Sequence, residues 1–168
     1  GSFEKPIAGE DVIVDVRRAQ DPEGHAYRVY KAAIASPTDI DRYGKAKADR
    51  TPVAIALPLY DSQDNWLHAG LPVVKTAMRV RIGAQFDTLS NRQGLAPTDW
   101  NQWLVVVIGQ LWLASIADLL GTETALAWAL IPLDAPEDEK GASLVADLEH
   151  EIWSVAGHPL AELAQVPA

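Results

Sequence analysis

The sequence predicts an α+β domain. A mainly antiparallel sheet of four or five strands packs against a long apolar helix at about 98–120 and an amphipathic C-terminal helix at about 141–156. Three observations carry this. Several short stretches alternate apolar and polar residues, the period of a half-buried strand. Residues 103–120 are apolar almost throughout, with Gln110, Ser115 and Asp118 as the strongly polar exceptions. Leu144, Val145, Leu148, Ile152 and Val155 recur at helical spacing.

The strands follow in order. Val12, Val14 and Val16 alternate with polar neighbours, and so do Tyr27, Val29 and Lys31 with theirs. Asp21-Pro22-Glu23-Gly24 supplies turn chemistry between them, so residues 11–17 and 26–34 read as a hairpin. The stretch from Ser36 to Arg50 is polar and interrupted by Gly44, which fits one or two helical turns within a loop. Val53, Ile55 and Leu57 predict a third strand that Pro58 ends or places at an edge. After a turn at 61–65, Val74, Thr76, Met78, Val80 and Ile82 make the clearest alternation in the chain. They predict a fourth strand with Lys75, Arg79 and Arg81 on its other face and Gly83 closing it.

Pro97-Thr98-Asp99 marks a helix entrance, with Thr98 or Asp99 as N-cap, and Gly121 is placed to be the C′ glycine. The β-branched run within Trp103–Ile108 allows a competing reading, a strand followed by a helix from Gln110. The single helix is the stronger of the two. Its apolar runs fall short of the ~20 residues of a membrane span, so it belongs in a core or in a subunit interface, where Trp103, Ile108, Trp112 and Ile116 would be covered. Thr124–Leu130 is a candidate fifth strand stopped by Pro132. Asp134–Lys140 is an acidic loop, and 158–165 adds a turn of helix before a frayed end.

At 168 residues, with 48% apolar and 22% charged side chains, a single globular domain is expected over 3–168. Gly1-Ser2 reads as a tag scar, and the segment is compatible with excision from a longer chain. The frequent alanines suit a bacterial or phage source, and the expected location is cytoplasmic. Cysteine is absent, which excludes disulfides, thiolate metal sites and a Cys nucleophile. The net charge of −9 is unevenly placed. Residues 1–94 carry 12 acidic and 13 basic side chains. Residues 95–168 carry 11 acidic side chains and one basic, Lys140, together with five of the six tryptophans. This argues against nucleic acid and anionic membrane as partners, and for a protein partner with a basic surface.

Chemical motifs are weak. Asp147 and His150 share a helix face like half of a carboxylate–His metal site, but a second such motif is missing. His150-Glu151 opens a zinc-protease-like pattern that fails at Ser154. Asp61, Asp64 and Asn65 fail the EF-hand spacing at Trp66 and Pro72. Asp39 and Asp41 lack a third carboxylate in a suitable strand. His25, His68, His150 and His158 are scattered, with no nucleophile elbow and no phosphate-binding Gly-rich loop. No cofactor or metal is expected.

The sequence therefore predicts a non-catalytic interaction or assembly domain, homodimeric or at least able to self-associate through the apolar helix. Its candidate interaction surface is Glu137, Asp138, Glu139, Asp147, Glu149 and Glu151, and Lys75, Arg79 and Arg81 are a candidate anion contact. The alternatives are a small-molecule sensor with an aromatic-lined pocket, and a hydrolase or metal-dependent enzyme whose site is assembled from distant loops.

Overall fold

The computed structural model describes residues 1–42, 47–61, 66–69, 71–76, 78–91 and 94–157. Residues 62–65 of the expected turn at 61–65, the interruption at Gly44, His158 and the final helical turn at 158–165 lie outside the described residues.

The chain forms a seven-stranded sheet with helices on one of its faces. The strands are β1 (Ser2–Ile7), β2 (Glu10–Gln20), β3 (Ala26–Ala35), β4 (Arg50–Pro58), β5 (Trp66–Ala69), β6 (Leu71–Lys75) and β7 (Arg81–Ala84). The sheet order is β1-β2-β3-β4-β7-β5-β6, antiparallel throughout except where β5 runs parallel to β7. The helices are α1 (Asp99–Thr122), α2 (Thr124–Leu130) and α3 (Leu144–Ile152), and a π-helical turn, Trp153–Gly157, extends α3.

The predicted hairpin forms as β2 and β3, with Asp15 opposite Lys31 and Gln20 opposite Ala26. Strand β1 is an addition to the prediction. Pro6 and three polar residues hide its alternation, yet Phe3 pairs with Val14 and Ile7 with Glu10. The connection is the two-residue turn Ala8-Gly9, with φ of 52° and 82°. Positive φ at both positions is the backbone that continues the right-handed twist of a hairpin.

The predicted fourth strand is not continuous. Strand β6 ends at Lys75, the chain bends, and β7 starts at Arg81. The cause is local. The buried Thr76 hydroxyl accepts from Met78 N at 3.1 Å and donates to Met78 O at 3.2 Å, and Val80 N donates to Met78 O. These bonds compete with a sheet ladder and turn the backbone. Lys75, Arg79 and Arg81 therefore do not share a strand face.

The prediction of one helix over 98–120 holds, and its bounds are wider. Thr98 is the N-cap, its hydroxyl accepting from Asn101 N, and Asp99 lies in the first turn where the helix dipole favours a negative charge. The β-branched residues 105–108 are helical here because burial outweighs their modest propensity cost. Gly121 lies inside the helix, which runs on to Thr122 with Glu123 as its C-cap, so Gly121 is not the C′ residue. Thr124–Leu130 is helix and not a fifth strand. Its Ala/large alternation imitates a strand, but alanine is the strongest helix former, and the segment continues directly from α1.

The core lies between the sheet and α1. Ile7, Val12, Val14, Tyr30, Ile34, Val53, Ile55, Leu57, Leu67 and Ile82 project from one face of the sheet and are buried against Leu104, Ile108, Leu111 and Trp112. Helix α3 packs on the far side of α1 through Leu144, Leu148 and Ile152. Helix α1 has the length and hydropathy of a membrane span, 24 residues containing an 18-residue stretch of mean hydropathy 1.9, but 61% of that stretch is buried inside the domain. Its outward stripe is narrow: Val106 and Leu113 are its large apolar members.

Candidate functional site

The acidic C-terminal third builds a cleft against the β6–β7 bend. Met78 and Arg79 from the β6–β7 bend, α2, the 131–137 segment, Glu149 of α3 and Trp153 enclose about 520 Å³. Two side chains in it are unusual. Trp128 is 47% exposed and Leu133 42% exposed, and both line the cleft. The other tryptophans of this region are packed: Trp100 and Trp112 are buried, and Trp103 and Trp153 are partly so. Trp128 stands out because α2 is only seven residues long, and Ala127 is its one buried member.

Carboxylates border this apolar floor. Asp134, Glu137 and Glu149 line the cleft with, among the described residues, a single cation, Arg79, whose Nη1 donates to Asp61 at 3.2 Å. The cleft thus combines two exposed apolar groups, two prolines (Pro132 and Pro136) and a net negative wall.

The six acidic residues singled out from the sequence take three positions. Glu137 and Glu149 line the cleft. Asp138 and Glu139 are exposed on the preceding loop, and the Asp138 carbonyl accepts from His150 Nε2 at 2.7 Å. Asp147 and Glu151 turn towards α1. Asp147 accepts from Gly141 N at 2.7 Å and Gln102 Nε2 at 3.0 Å, holding the loop and α1 to the start of α3. Glu151 lies over Gly109 of α1.

Ile108, Trp112 and Ile116 are covered within the one chain, and Trp103 partly so. Ile108, Trp112 and Ile116 are buried, and Trp103 packs its ring 5.1 Å from that of Trp100. Of the three cations, Lys75 is exposed at the end of β6 and Arg79 lines the cleft, while the Arg81 guanidinium sits 4.8 Å from the Tyr27 ring.

Two further clusters have no counterpart in the sequence reading. In the β2–β3 turn, Asp21 Oδ1 accepts from the Glu23 and His25 amides, and His25 Nδ1 lies 3.1 Å from Asp21 Oδ2 and 3.6 Å from Glu23 Oε2. Desolvation pushes the Asp21 carboxyl up, but the hydrogen bonds from His25 and Glu23 outweigh it and hold the group below its ordinary value. The three donor atoms lie within 4.8 Å of one another, so this turn has the donors to hold a metal ion. The His25 ring stacks on Tyr60 at 4.4 Å. In the sequence the signal is the Asp-x-Glu-x-His spacing, which as sequence reads as turn chemistry. The second cluster joins the sheet to α1: Tyr30 OH donates to Asp118 Oδ2 at 2.7 Å, and Arg28 Nε donates to both. Burial pushes the Tyr30 phenol well up, and Asp118 adds to that shift while Arg28 opposes it.

No family model, curated protein or solved structure matches this chain.

Proposed function

We propose that the chain is a non-catalytic protein-interaction domain that docks a partner of basic surface in the cleft beside α2. One observation carries the reading: an exposed tryptophan and an exposed leucine stand together inside a wall of carboxylates. Tryptophans in desolvated pockets dominate many interfaces, typically at about 2 kcal/mol or more each. The surrounding charge steers oppositely charged partners and rejects acidic ones. The acidic excess of residues 95–168 supports the same choice of partner.

The test uses synthetic peptides with one Leu or Phe flanked by Lys and Arg, and matched peptides flanked by Glu, titrated calorimetrically. Basic peptides are expected to bind, more weakly as salt rises. Trp128→Ala is expected to weaken them by about thirty-fold, the equivalent of that 2 kcal/mol. Binding that ignores Trp128, or that favours the Glu-flanked peptides, would overturn the reading.

The size of the cleft favours a second reading, a small-molecule sensor, because about 520 Å³ lies within the range of ligand sites. Under that reading apolar cationic small molecules, and not peptides, raise the melting temperature in a Trp128-dependent manner.

A further inference from the structure

The sheet face opposite the helices carries the second unexplained surface. Residues on this face follow from the register: Ser2, Asp15, Lys31, Ala54, Gly83 and His68 form one row across six strands. A solvated antiparallel face is normally polar. Here Ala33 and Pro52 are exposed, Val29, Ala54, Ala56 and Gly83 are half-buried, and Ile13 projects from β2 at 68% exposure, more than any other large apolar residue described. Beside it lies a shallow depression of about 420 Å³ lined by Lys31, Pro52, Ala54, His68, Gly83 and Gln85.

We propose that this face joins two copies of the chain, sheet against sheet, about a two-fold axis parallel to β3. The shape selects this partner. Ile13 stands on the β2 side of β3, and the depression lies on the β4–β7 side. Rotation about an axis along β3 exchanges the two sides, so Ile13 of each copy enters the depression of the other. The contact is isologous, as two-fold dimers require.

Charge selects the same axis. The β1–β2 flank of this face bears Glu4, Asp11 and Asp15 with Arg17, and the β4–β7 side bears Arg50 and Arg81, while Lys31 of β3 lies on the axis itself. An axis along the strands sets acidic flank over basic flank, whereas one across the strands would set acid on acid. Asp15 already pairs with Arg17 at 2.8 Å and Arg50 with Glu10 at 3.0 Å. Such exposed pairs are weak and exchange easily. Area is adequate too. Five strands spaced ~4.8 Å and about seven residues of each cover roughly 600 Å² per copy, or about 1,200 Å² in total, the lower end for a stable complex.

The test is the mass of the whole chain in solution, by sedimentation equilibrium up to about 200 µM, a concentration far above a Kd of about 1 µM. A dimer is expected. Ile13→Asp removes the knob, and Gly83→Arg fills the depression. Neither should disturb the fold, because Ile13 is exposed and a Cβ at Gly83 meets nothing within 4 Å; circular dichroism checks this. Each variant alone should weaken the dimer about ten-fold or more. Mixed together they should dimerise again. The intact Ile13 of one variant enters the intact depression of the other, and the new Asp faces the new Arg. A monomeric wild type, a dimer that both variants leave intact, or two monomeric variants that do not rescue one another would each overturn the proposal.

Discussion

Arg42 shows how a single side chain can hold distant parts of this chain together. It is a cation with only 9% of its side chain exposed. Its Nη2 donates to Asp87 Oδ1 at 2.8 Å and to Gln85 O at 3.2 Å, and its guanidinium lies 4.4 Å from the centre of the Trp100 ring. Asp87 is held in turn by Thr98, and Asn101 bonds its backbone in both directions. The network fastens the residues before α1 to its first turn. A buried pair of this kind adds little over apolar packing, but breaking one half is costly because a charge is stranded. Asp87→Ala is therefore expected to lower unfolding stability by about 3–5 kcal/mol. Arg42→Met strands the equally buried Asp87 carboxylate and should cost a similar amount, reduced in part by the apolar stem kept over Trp100, and the double variant should cost less than the sum of the two. Urea denaturation midpoints decide it, and additive losses would contradict the coupling. None of this was legible in the sequence. Arg42 and Asp87 lie 45 residues apart, and each reads alone as an ordinary surface charge.

At the scale of elements, the contact between α1 and α3 depends on a residue without a side chain. A Cβ at Gly109 would meet Glu151 Cγ at 2.6 Å, closer than real contacts allow. Glycine costs a helix interior roughly 1 kcal/mol relative to alanine, so Gly109→Ala would stabilise α1 if it were free. Packed against α3 it is expected to destabilise by about 1–2 kcal/mol net, the overpacking cost exceeding the propensity gain. Adding Glu151→Ala should reverse the loss and reveal the gain, as read by melting temperature. Full stability in Gly109→Ala alone would mean that Glu151 moves aside freely. Elements with a regular period were legible: β2, β3, β4, α1 and α3 lie where alternation or helical spacing placed them. The misreadings have local causes. Thr76 bonds its own backbone and breaks the predicted fourth strand, and the alanines of α2 imitate strand alternation. Strand β1 is too polar and too Pro-marked to show its pairing without β2 beside it.

At the scale of the molecule, helices cover one side of the sheet, and the same helix α1 touches β1, β3, β4, α2, α3 and the π-helical turn. No subset of elements keeps a core once α1 leaves. Far-UV circular dichroism and tryptophan fluorescence should therefore report one coincident thermal transition, since Trp100 and Trp112 are buried on that helix. Two separated transitions would show that the sheet or the helical layer folds alone. The one-sided arrangement also sets the two candidate surfaces apart, an acidic cleft beside the helices and, on the open sheet face, an apolar strip between charged flanks.

The sequence by itself determined the α+β class, the position of its main strands and helices, and the acidic character of the last third. These depend on period, cap chemistry and charge, all local quantities. Only the tertiary structure decided where the exposed apolar groups stand. The four residues Trp103, Ile108, Trp112 and Ile116 were as apolar as any in the chain, yet sheet and helix cover them, Trp103 in part. Trp128 and Ile13 looked ordinary and are left open. Burial is a property of what packs against a residue, and for these side chains the neighbours come from distant parts of the chain.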